Sequence, residues 1–288
     1  MELRQARYFL AVVEHGGVAG AATALGLAGP SVSQAVRALE RELGAELFHR
    51  IGRGMVLTAA GRAFVGPARR IVRSALAADG AAVGPDGPVR GRLDVLASTY
   101  VAVHPVAGLV GAFRRAHPEV AVRIGALADD DDSAALVRQG HCELAFTHLP
   151  VPAPGLTVRE LGRHEYRLVA PPDVDLPAAD PLDLADLPDL PLIVVPQAVP
   201  VRIQIERELL SVGKRTRVAA VCHHREAIGA LVLAGVGATF LERSAAERLA
   251  GLGAGVRALR PAVHRPHGVI YDPRRLSPAG QAFVAALG

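Results

Sequence analysis

The feature that most constrains this chain is a pair of helical patterns separated by a short break at residues 25–30. After the break, apolar residues recur at helical spacing and form one narrow stripe: Val32, Val36, Leu39 and Leu43. Pro30 suits the first turn of that helix, because its φ is already helical and its missing N–H would be unpaired there. This pattern predicts a helix-turn-helix that can enter a DNA major groove. A helical hairpin in a protein core fits the same stretch equally well.

A hairpin-like segment follows at residues 46–58. Two short β-like pieces flank a turn bounded by glycines, and the segment carries Arg50 and Arg53. Arginines on such a wing can hold phosphates or enter the minor groove, which positions a domain without reading much sequence. A surface hairpin with incidental arginines is the alternative, but a helix-turn-helix directly upstream favours DNA.

The charge of the chain is concentrated at its front. Residues 1–92 hold twelve arginines against seven acids, whereas the other 196 residues hold twenty basic against twenty-one acidic groups. A basic front and a neutral body indicate that the front meets a polyanion. The basic residues are almost all arginine, since Lys214 is the only lysine, and a general bias of the genome toward arginine would produce the same composition.

Several classes of protein are disfavoured by the sequence. No apolar run approaches the ~20 residues of a membrane span, and the first residues lack a signal-peptide pattern. Two distant cysteines, Cys142 and Cys222, predict neither a disulfide framework nor a zinc site, so we expect a cytoplasmic protein. The glycines of residues 251–255 do not open a βαβ unit, and no G-x-S-x-G or zinc-spaced histidine pair occurs. We therefore expect no enzymatic activity, no cofactor and no metal.

The next pattern predicts a long helix over residues 59–79. Thr58 is a suitable N-cap, and Pro67 should kink the helix by removing a backbone hydrogen bond. Its apolar stripe needs a partner, which is either the same helix of a second protomer or the body of its own chain. The Gly/Pro-rich residues 80–91 read as a hinge.

From residue 92 strands alternate with helices, which predicts α/β units in two lobes. Residues 156–161 and 166–170 are predicted as two separate strands, and residues 101–116 as one helix. The acidic run 129–132 is interpreted as a solvated loop that caps the next helix rather than a cation site. Ligands in open α/β sheets bind at the carboxyl ends of strands. Six residues are predicted to line such a site: Ser98, Thr99, Thr147, His148, Gln197 and Arg202. Their hydroxyls and nearby backbone N–H groups favour an anionic or carbonyl-bearing small molecule.

The N-terminal residues resemble the LysR-type transcriptional regulators in order and spacing without a gap. The matching positions are Leu3, Phe9, Ala21, Ala22, Leu25, Pro30, Ser33, Gln34, Leu39, Glu40, Leu43, Gly44, Leu47, Phe48, Arg50, Arg53, Leu57, Thr58, Ala60 and Gly61. The resemblance implies a winged helix-turn-helix over residues 1–58, a linker and dimerisation helix with hinge over 59–90, and a two-lobed α/β effector domain over 91–288. That domain would resemble periplasmic binding proteins, with lobe I at about 91–161 and 266–288 and lobe II at about 162–265.

The resemblance further implies a homodimer or homotetramer that binds double-stranded DNA and responds to a small-molecule effector between the lobes. By position, the residues implied to contact DNA are Pro30, Ser31, Ser33, Gln34, Arg37, Arg50 and Arg53. Family members usually carry Ser-Gln before the proline, where this chain has Ala28 and Gly29. We therefore predict DNA binding that depends on arginine–phosphate contacts, with a steep salt dependence and modest specificity. A ligand-binding protein that has lost DNA binding is the alternative.

Overall fold

A computed structural model describes residues 1–51, 54–83, 88–128, 130–197 and 199–287, with only the backbone described at 79–83. The chain divides into two compact units. The first contains Met1–Thr147, Val151–Arg159 and Val269–Gly288, and the second contains His148–Pro150 and Glu160–Gly268.

The first unit begins with three helices and a hairpin. These elements are α1 (Leu3–Glu14), α2 (Val18–Leu25), α3 (Gly29–Leu43), β1 (Phe48–Ile51) and β2 (Gly54–Leu57). The predicted stripe of α3 is buried at Val32, Val36 and Leu39. The ring of Phe9 packs against that of Phe48 at a centroid distance of 5.3 Å, which joins α1 to the hairpin. The helix-turn-helix and wing of the sequence analysis are therefore confirmed as structural elements.

The turn between α2 and α3 depends on one glycine. Gly26 ends α2 with φ +66°, in the left-handed region that glycine adopts without a Cβ penalty. Ala28 then occupies the N-cap of α3 and makes no side-chain cap hydrogen bond. The turn between the two helices is therefore formed by the left-handed backbone of Gly26, without a polar side chain that caps α3.

A long helix, α4 (Ala59–Val83), connects this segment to the rest of the first unit. Thr58 caps it, because the backbone N–H of Gly61 donates to the Thr58 hydroxyl at 2.9 Å. The helix continues through Pro67 as a single element. Phe64 packs edge-on against Phe9, with ring centroids 5.1 Å apart, so part of the apolar stripe is covered by the helix's own chain.

The remainder of the first unit is an α/β layer. Its elements are β3 (Gly91–Ala97), α5 (Thr99–Val101), a π-helical turn (Ala102–Val106), α6 (Ala107–Ala116), β4 (Val120–Ala126), a 3₁₀ turn (Asp130–Asp132), α7 (Ser133–Gln139), β5 (Leu144–His148), a second 3₁₀ turn (Pro273–Arg275) and α11 (Pro278–Ala285). Strand β3 pairs in parallel with β4 and β5, and Ala97 stands opposite Phe146. The predicted helix 101–116 is interrupted by His104, whose backbone is not helical. Pro105 accounts for this, because proline disfavours helical geometry in the preceding residue.

Two long strands, β6 (Thr157–Ala170) and β13 (Val263–Tyr271), each run from one unit into the other. The two strands predicted at 156–161 and 166–170 are thus one strand of fourteen residues. The polar residues between them look like a loop in sequence but continue the extended backbone.

The second unit combines strands that pair with β6 with two separate two-stranded sheets. Its remaining elements are β7 (Leu182–Asp183), a 3₁₀ turn (Leu184–Asp186), β8 (Pro191–Val194), α8 (Pro200–Ser211), β9 (Arg217–Val221), α9 (Arg225–Leu233), β10 (Thr239–Glu242), α10 (Arg243–Ala250), β11 (Gly255–Arg257) and β12 (Leu259–Arg260). Strands β10 and β11 pair antiparallel with β6, whereas the two separate sheets pair β7 with β12 and β8 with β9, both in parallel. Buried apolar residues such as Tyr166, Leu168 and Leu192 form its core.

Within the described part of the chain, no single helix has the length and apolar character needed to cross a membrane. Among the described helices, only α1 and α2 taken together reach that length and composition, across a bend of 118°.

Candidate nucleic-acid interface and ligand site

The polar face of α3 is presented to solvent. Pro30, Ser31, Gln34 and Arg37 are exposed and Ser33 is half-buried. The opposite face of the helix is anchored in the core by its buried apolar stripe, which fixes the orientation of these side chains. A helix held in this way can present its N-terminal polar residues to the major groove of DNA.

The wing is held close to α3 by one carboxylate. Glu40 Oε1 accepts hydrogen bonds from the backbone N–H groups of Leu47 at 2.8 Å and Phe48 at 3.3 Å. Arg50 then lies exposed on β1. The predicted contact Arg53 lies outside the described residues.

Three of the predicted DNA contacts share one groove. Ser33 and Arg37 from α3 and Arg50 from β1 line a groove of about 370 Å³ between the helix and the base of the wing. The carboxylates of Glu40 and Glu46 also line this groove, and Glu40 is already bonded to backbone N–H groups of the wing. The two guanidinium groups are the part that suits an anionic backbone, because arginine donates several N–H groups to phosphate oxygens. The cap position of α3 adds no polar side chain, since it is occupied by Ala28.

Part of the basic front has a different role from the one its charge indicates. Arg69 and Arg73 of α4 are buried, and Arg73 Nη1 lies 3.2 Å from the Asp94 carboxylate on β3. Asp94 Oδ1 also lies 3.0 Å from Arg92 Nε and 2.7 Å from Arg123 Nε. Arg69 and Arg73 therefore do not belong to the basic surface that could meet a polyanion. Both are buried, and they bind the His141 carbonyl and the Asp94 carboxylate inside the protein.

The same cluster shifts the ionisation of several groups. Burial opposes ionisation of Asp94, but Arg92 and Arg123 outweigh it and hold the pKa of Asp94 below its usual value. Glu143 has the opposite outcome, because burial raises its pKa more than Arg73 lowers it. The pKa of Cys142 is raised to about 12, mainly by burial, so its thiol stays protonated and unreactive.

The first unit brings together hydroxyls at the ends of its parallel strands. The N–H of Ser98 donates to the Phe146 carbonyl at 3.0 Å, which places Ser98 beside Thr147. The Thr147 hydroxyl donates to Asp130 Oδ1 at 2.7 Å. Thr99 is exposed in the short helix α5. Sequence reasoning missed Asp130, because its partner lies seventeen positions away and the acidic run reads as a solvated cap.

The second unit contains the other three predicted ligand residues. His148 is buried, and its Nε2 lies 3.1 Å from Nδ1 of His164 in a ring-to-ring hydrogen bond. Gln197 is exposed in the turn after β8. Arg202 on α8 bonds Glu206 Oε1 at 2.7 Å and the Val195 carbonyl at 2.9 Å.

Two family models match the chain. The model described as the bacterial regulatory helix-turn-helix protein of the lysR family matches residues 3–62, and the LysR substrate binding domain matches residues 86–288. Together these matches cover the helix-turn-helix with its wing and the α/β part of the chain.

Curated relatives and solved structures agree with these matches. The regulator CbbR of Xanthobacter flavus is 31% identical over 98% of this chain and 86% of its own length. The regulator ShiR of Corynebacterium glutamicum is 32% identical over 68% of this chain and 67% of its own length. Full-length CbnR in complex with its target DNA superposes with a TM-score of 0.70 at 26% identity, covering 100% of this chain and 99% of CbnR. A full-length variant of OxyR from Pseudomonas aeruginosa, at 21% identity, gives 0.73 over 100% and 97% of the two chains and shares the fold.

Proposed function

The chain belongs to the LysR family of bacterial transcriptional regulators, and on that premise we propose the residues through which it acts. It is a DNA-binding regulator that responds to a small-molecule effector and forms oligomers. The comparisons support this function and not the alternative of a ligand-binding protein without DNA binding. We propose that it has no enzymatic activity and that it works in the cytoplasm, on double-stranded DNA.

We propose that α3 enters the major groove and that the wing contacts the backbone or the minor groove. The observation that carries this proposal is the single groove shared by Ser33, Arg37 and Arg50 on the exposed side of α3 and β1. Pro30, Ser31 and Gln34 extend the same face, and Arg53 of the wing turn completes the proposed set. Because Ala28 replaces a polar cap, we propose that the protein reads few bases and depends largely on phosphate contacts.

The effector residues are a separate proposal. We propose that Ser98, Thr99 and Thr147 of the first unit, and His148, Gln197 and Arg202 of the second, bind or respond to the effector. The support is positional, because Ser98 follows β3 and Thr147 lies near the carboxyl end of β5, which pairs in parallel with β3. We also keep as proposals the boundaries 1–58, 59–90 and 91–288, and a dimer contact made by α4.

The DNA proposal is tested by fluorescence anisotropy. A labelled duplex taken from the DNA upstream of the gene that encodes this protein is titrated with the protein at several salt concentrations. Arg50→Ala should weaken binding to all sequences alike and reduce the salt slope by about 1, as expected for one lost phosphate contact. Arg37→Ala should weaken DNA binding by about 1–3 kcal/mol and reduce discrimination between duplexes, as expected for the loss of one base-edge contact in the major groove.

Arg248→Ala is the matched control, because Arg248 is an exposed arginine at the end of α10, outside the proposed interface. It should leave affinity and salt slope unchanged. Failure of the wild type to bind at low salt would refute the function. Sequence-specific binding that barely responds to salt would refute the phosphate-based mechanism.

A further inference from the structure

The first unit contains a pocket of about 450 Å³ between α1, the end of α2, α4 and the start of β3. Its volume suits a small organic molecule. Part of its wall is apolar and is formed by Leu10, Leu25, Val72 and Leu76. The charged residues that line this α1–α4 pocket are Arg7, Arg69, Arg73, Arg92, Glu14 and Asp94. Arginines therefore outnumber carboxylates in its wall.

The two carboxylates of the α1–α4 pocket are already engaged by arginines. Arg92 Nη1 lies 3.0 Å from Glu14 Oε2, and its Nε lies 3.0 Å from Asp94 Oδ1. Asp94 Oδ2 lies 3.2 Å from Arg73 Nη1. These carboxylates stabilise Arg92 and Arg73, so they offer little to a cationic ligand.

Arg69 is the arginine of the pocket that these ion pairs leave out. It is only 8% exposed, and its Nη1 donates a hydrogen bond to the His141 carbonyl at 3.0 Å. That bond uses one of the five N–H donors of a guanidinium group. Among the described residues, the Nε of Arg69 has no hydrogen-bond partner. A buried charge that lacks a counter-charge is costly, and a bound anion would offset that cost.

The ionisation of two groups reflects the excess of positive charge. The pKa of Arg69 is lowered to about 10, first by burial and next by the like charge of Arg123. The pKa of His141 is also lowered, again first by burial and next by Arg69. The nearby carboxylate of Asp94 opposes the shift of Arg69 without cancelling it.

We propose that the α1–α4 pocket is a second ligand site, in which Arg69 binds a small oxyanion, either a phosphate ion or the carboxylate of an apolar molecule. None of the six proposed effector residues lines this pocket. A guanidinium group forms strong charge-assisted hydrogen bonds with either oxyanion. Arg7, which is exposed on α1, adds a second positive charge at the wall. A DNA duplex is too large to enter a pocket of this volume, so the site is separate from the proposed DNA interface.

The test is isothermal titration of the full chain with inorganic phosphate and with hexanoate, at constant pH and with the ionic strength held constant by sodium chloride. We expect at least one of the two anions to bind. Tighter binding of phosphate identifies an inorganic oxyanion as the better ligand. Tighter binding of hexanoate identifies a carboxylate whose apolar chain contacts the leucines of the wall.

Variants of Arg69 locate the bound anion. Arg69→Met should weaken binding by at least about tenfold, because the charge and its donors are lost. Arg69→Lys keeps the charge without the planar fork and should weaken binding several-fold. Arg62→Met is the matched control, because Arg62 is an exposed arginine of the same helix outside the pocket, and it should keep the wild-type dissociation constant.

Thermal unfolding separates ligand binding from a purely structural role of Arg69. A saturating amount of the bound anion should raise the unfolding midpoint of the wild type and of Arg62→Met, because the ligand binds only the folded state. It should leave the midpoint of Arg69→Met unchanged. An arginine with only a structural role would instead lower the midpoint of Arg69→Met equally with and without the anion, while the wild-type shift remained in the variant.

Binding of neither anion by the wild type overturns the proposal. An Arg69→Met variant that keeps the wild-type dissociation constant also overturns it, and phosphate bound at the DNA-binding face would give that result. If Arg69→Met does not fold, Arg69→Lys decides, and an unchanged dissociation constant in this variant overturns the proposal.

Discussion

Replacing Arg73 by Met should destabilise the protein strongly, because it leaves a buried carboxylate without its counter-charge. Arg73 Nε lies 3.9 Å from Glu143 Oε1, and the Glu143 side chain is completely buried. Asp94 keeps Arg92 and Arg123, but Arg73 is the first group that lowers the pKa of Glu143 against the effect of burial. Breaking a buried pair from one side typically costs about 3–5 kcal/mol. The hydrogen bond from Arg73 to the Gly140 carbonyl adds about 1 kcal/mol.

The assay is urea denaturation followed by circular dichroism, on the wild type, Arg73→Met, Glu143→Gln and the double variant. In the double variant the buried charge is gone, and the amide oxygen introduced by Glu143→Gln can still accept the Ser277 N–H that Glu143 now accepts at 2.7 Å. The decrease in unfolding free energy of the double variant should be smaller, by about 1–3 kcal/mol, than the sum of the decreases of the two single variants. Arg62→Met, an exposed arginine of the same helix, is the control and should change stability by less than about 0.5 kcal/mol. Additive losses, or an Arg73→Met variant as stable as the control, would refute the reasoning.

Three further predictions concern the same region. In the native protein at pH 8 a thiol reagent should modify only Cys222, because the pKa of Cys142 is about 12 and its thiol is buried; rapid modification of both would contradict this. Gly66→Ala should cost about 1–3 kcal/mol in urea denaturation, since the added methyl overlaps the Gln139 carbonyl oxygen, and an unchanged midpoint would show that the contact is not tight. The lowered pKa of Asp94 means that its stabilisation is complete above the unfolded-state value and is lost as pH falls through the folded-state value. The unfolding free energy should therefore decrease as the pH is lowered past the unfolded-state pKa of aspartate, about 3.9, and Asp94→Asn should show a shallower slope than the wild type.

The elements that local sequence specifies were predicted well. The stripe of α3 is readable because its members lie three or four positions apart and all face one core. The Thr58 cap of α4 is readable for the same reason, since its hydrogen bond spans three residues. Strand β6 was divided in two because polar residues at 162–165 resemble a loop, and only its pairing with distant strands shows the continuous backbone.

The groups that act over long sequence separations could not be predicted. Arg73 reads as one more surface charge, and its partner Asp94 lies twenty-one positions away. Asp130 reads as a solvated cap until Thr147 is brought close to it by the parallel pairing of β3 with both β4 and β5. Burial and charge pairing depend on residues that are distant in sequence, so they cannot be predicted from the periodicity of a single segment.

The ion pair between Glu14 of α1 and Arg92 of β3, at 2.5 Å, has a consequence for domain exchange between relatives. A chimera joined at residues 84–87 would take Glu14 and Arg73 from one parent and Arg92, Asp94 and Glu143 from the other. Compatibility of the two parts would then depend on matching charges across that contact rather than on the length of the connecting segment. The DNA-binding segment is therefore not an interchangeable module, and a functional exchange has to transfer both sides of the contact together.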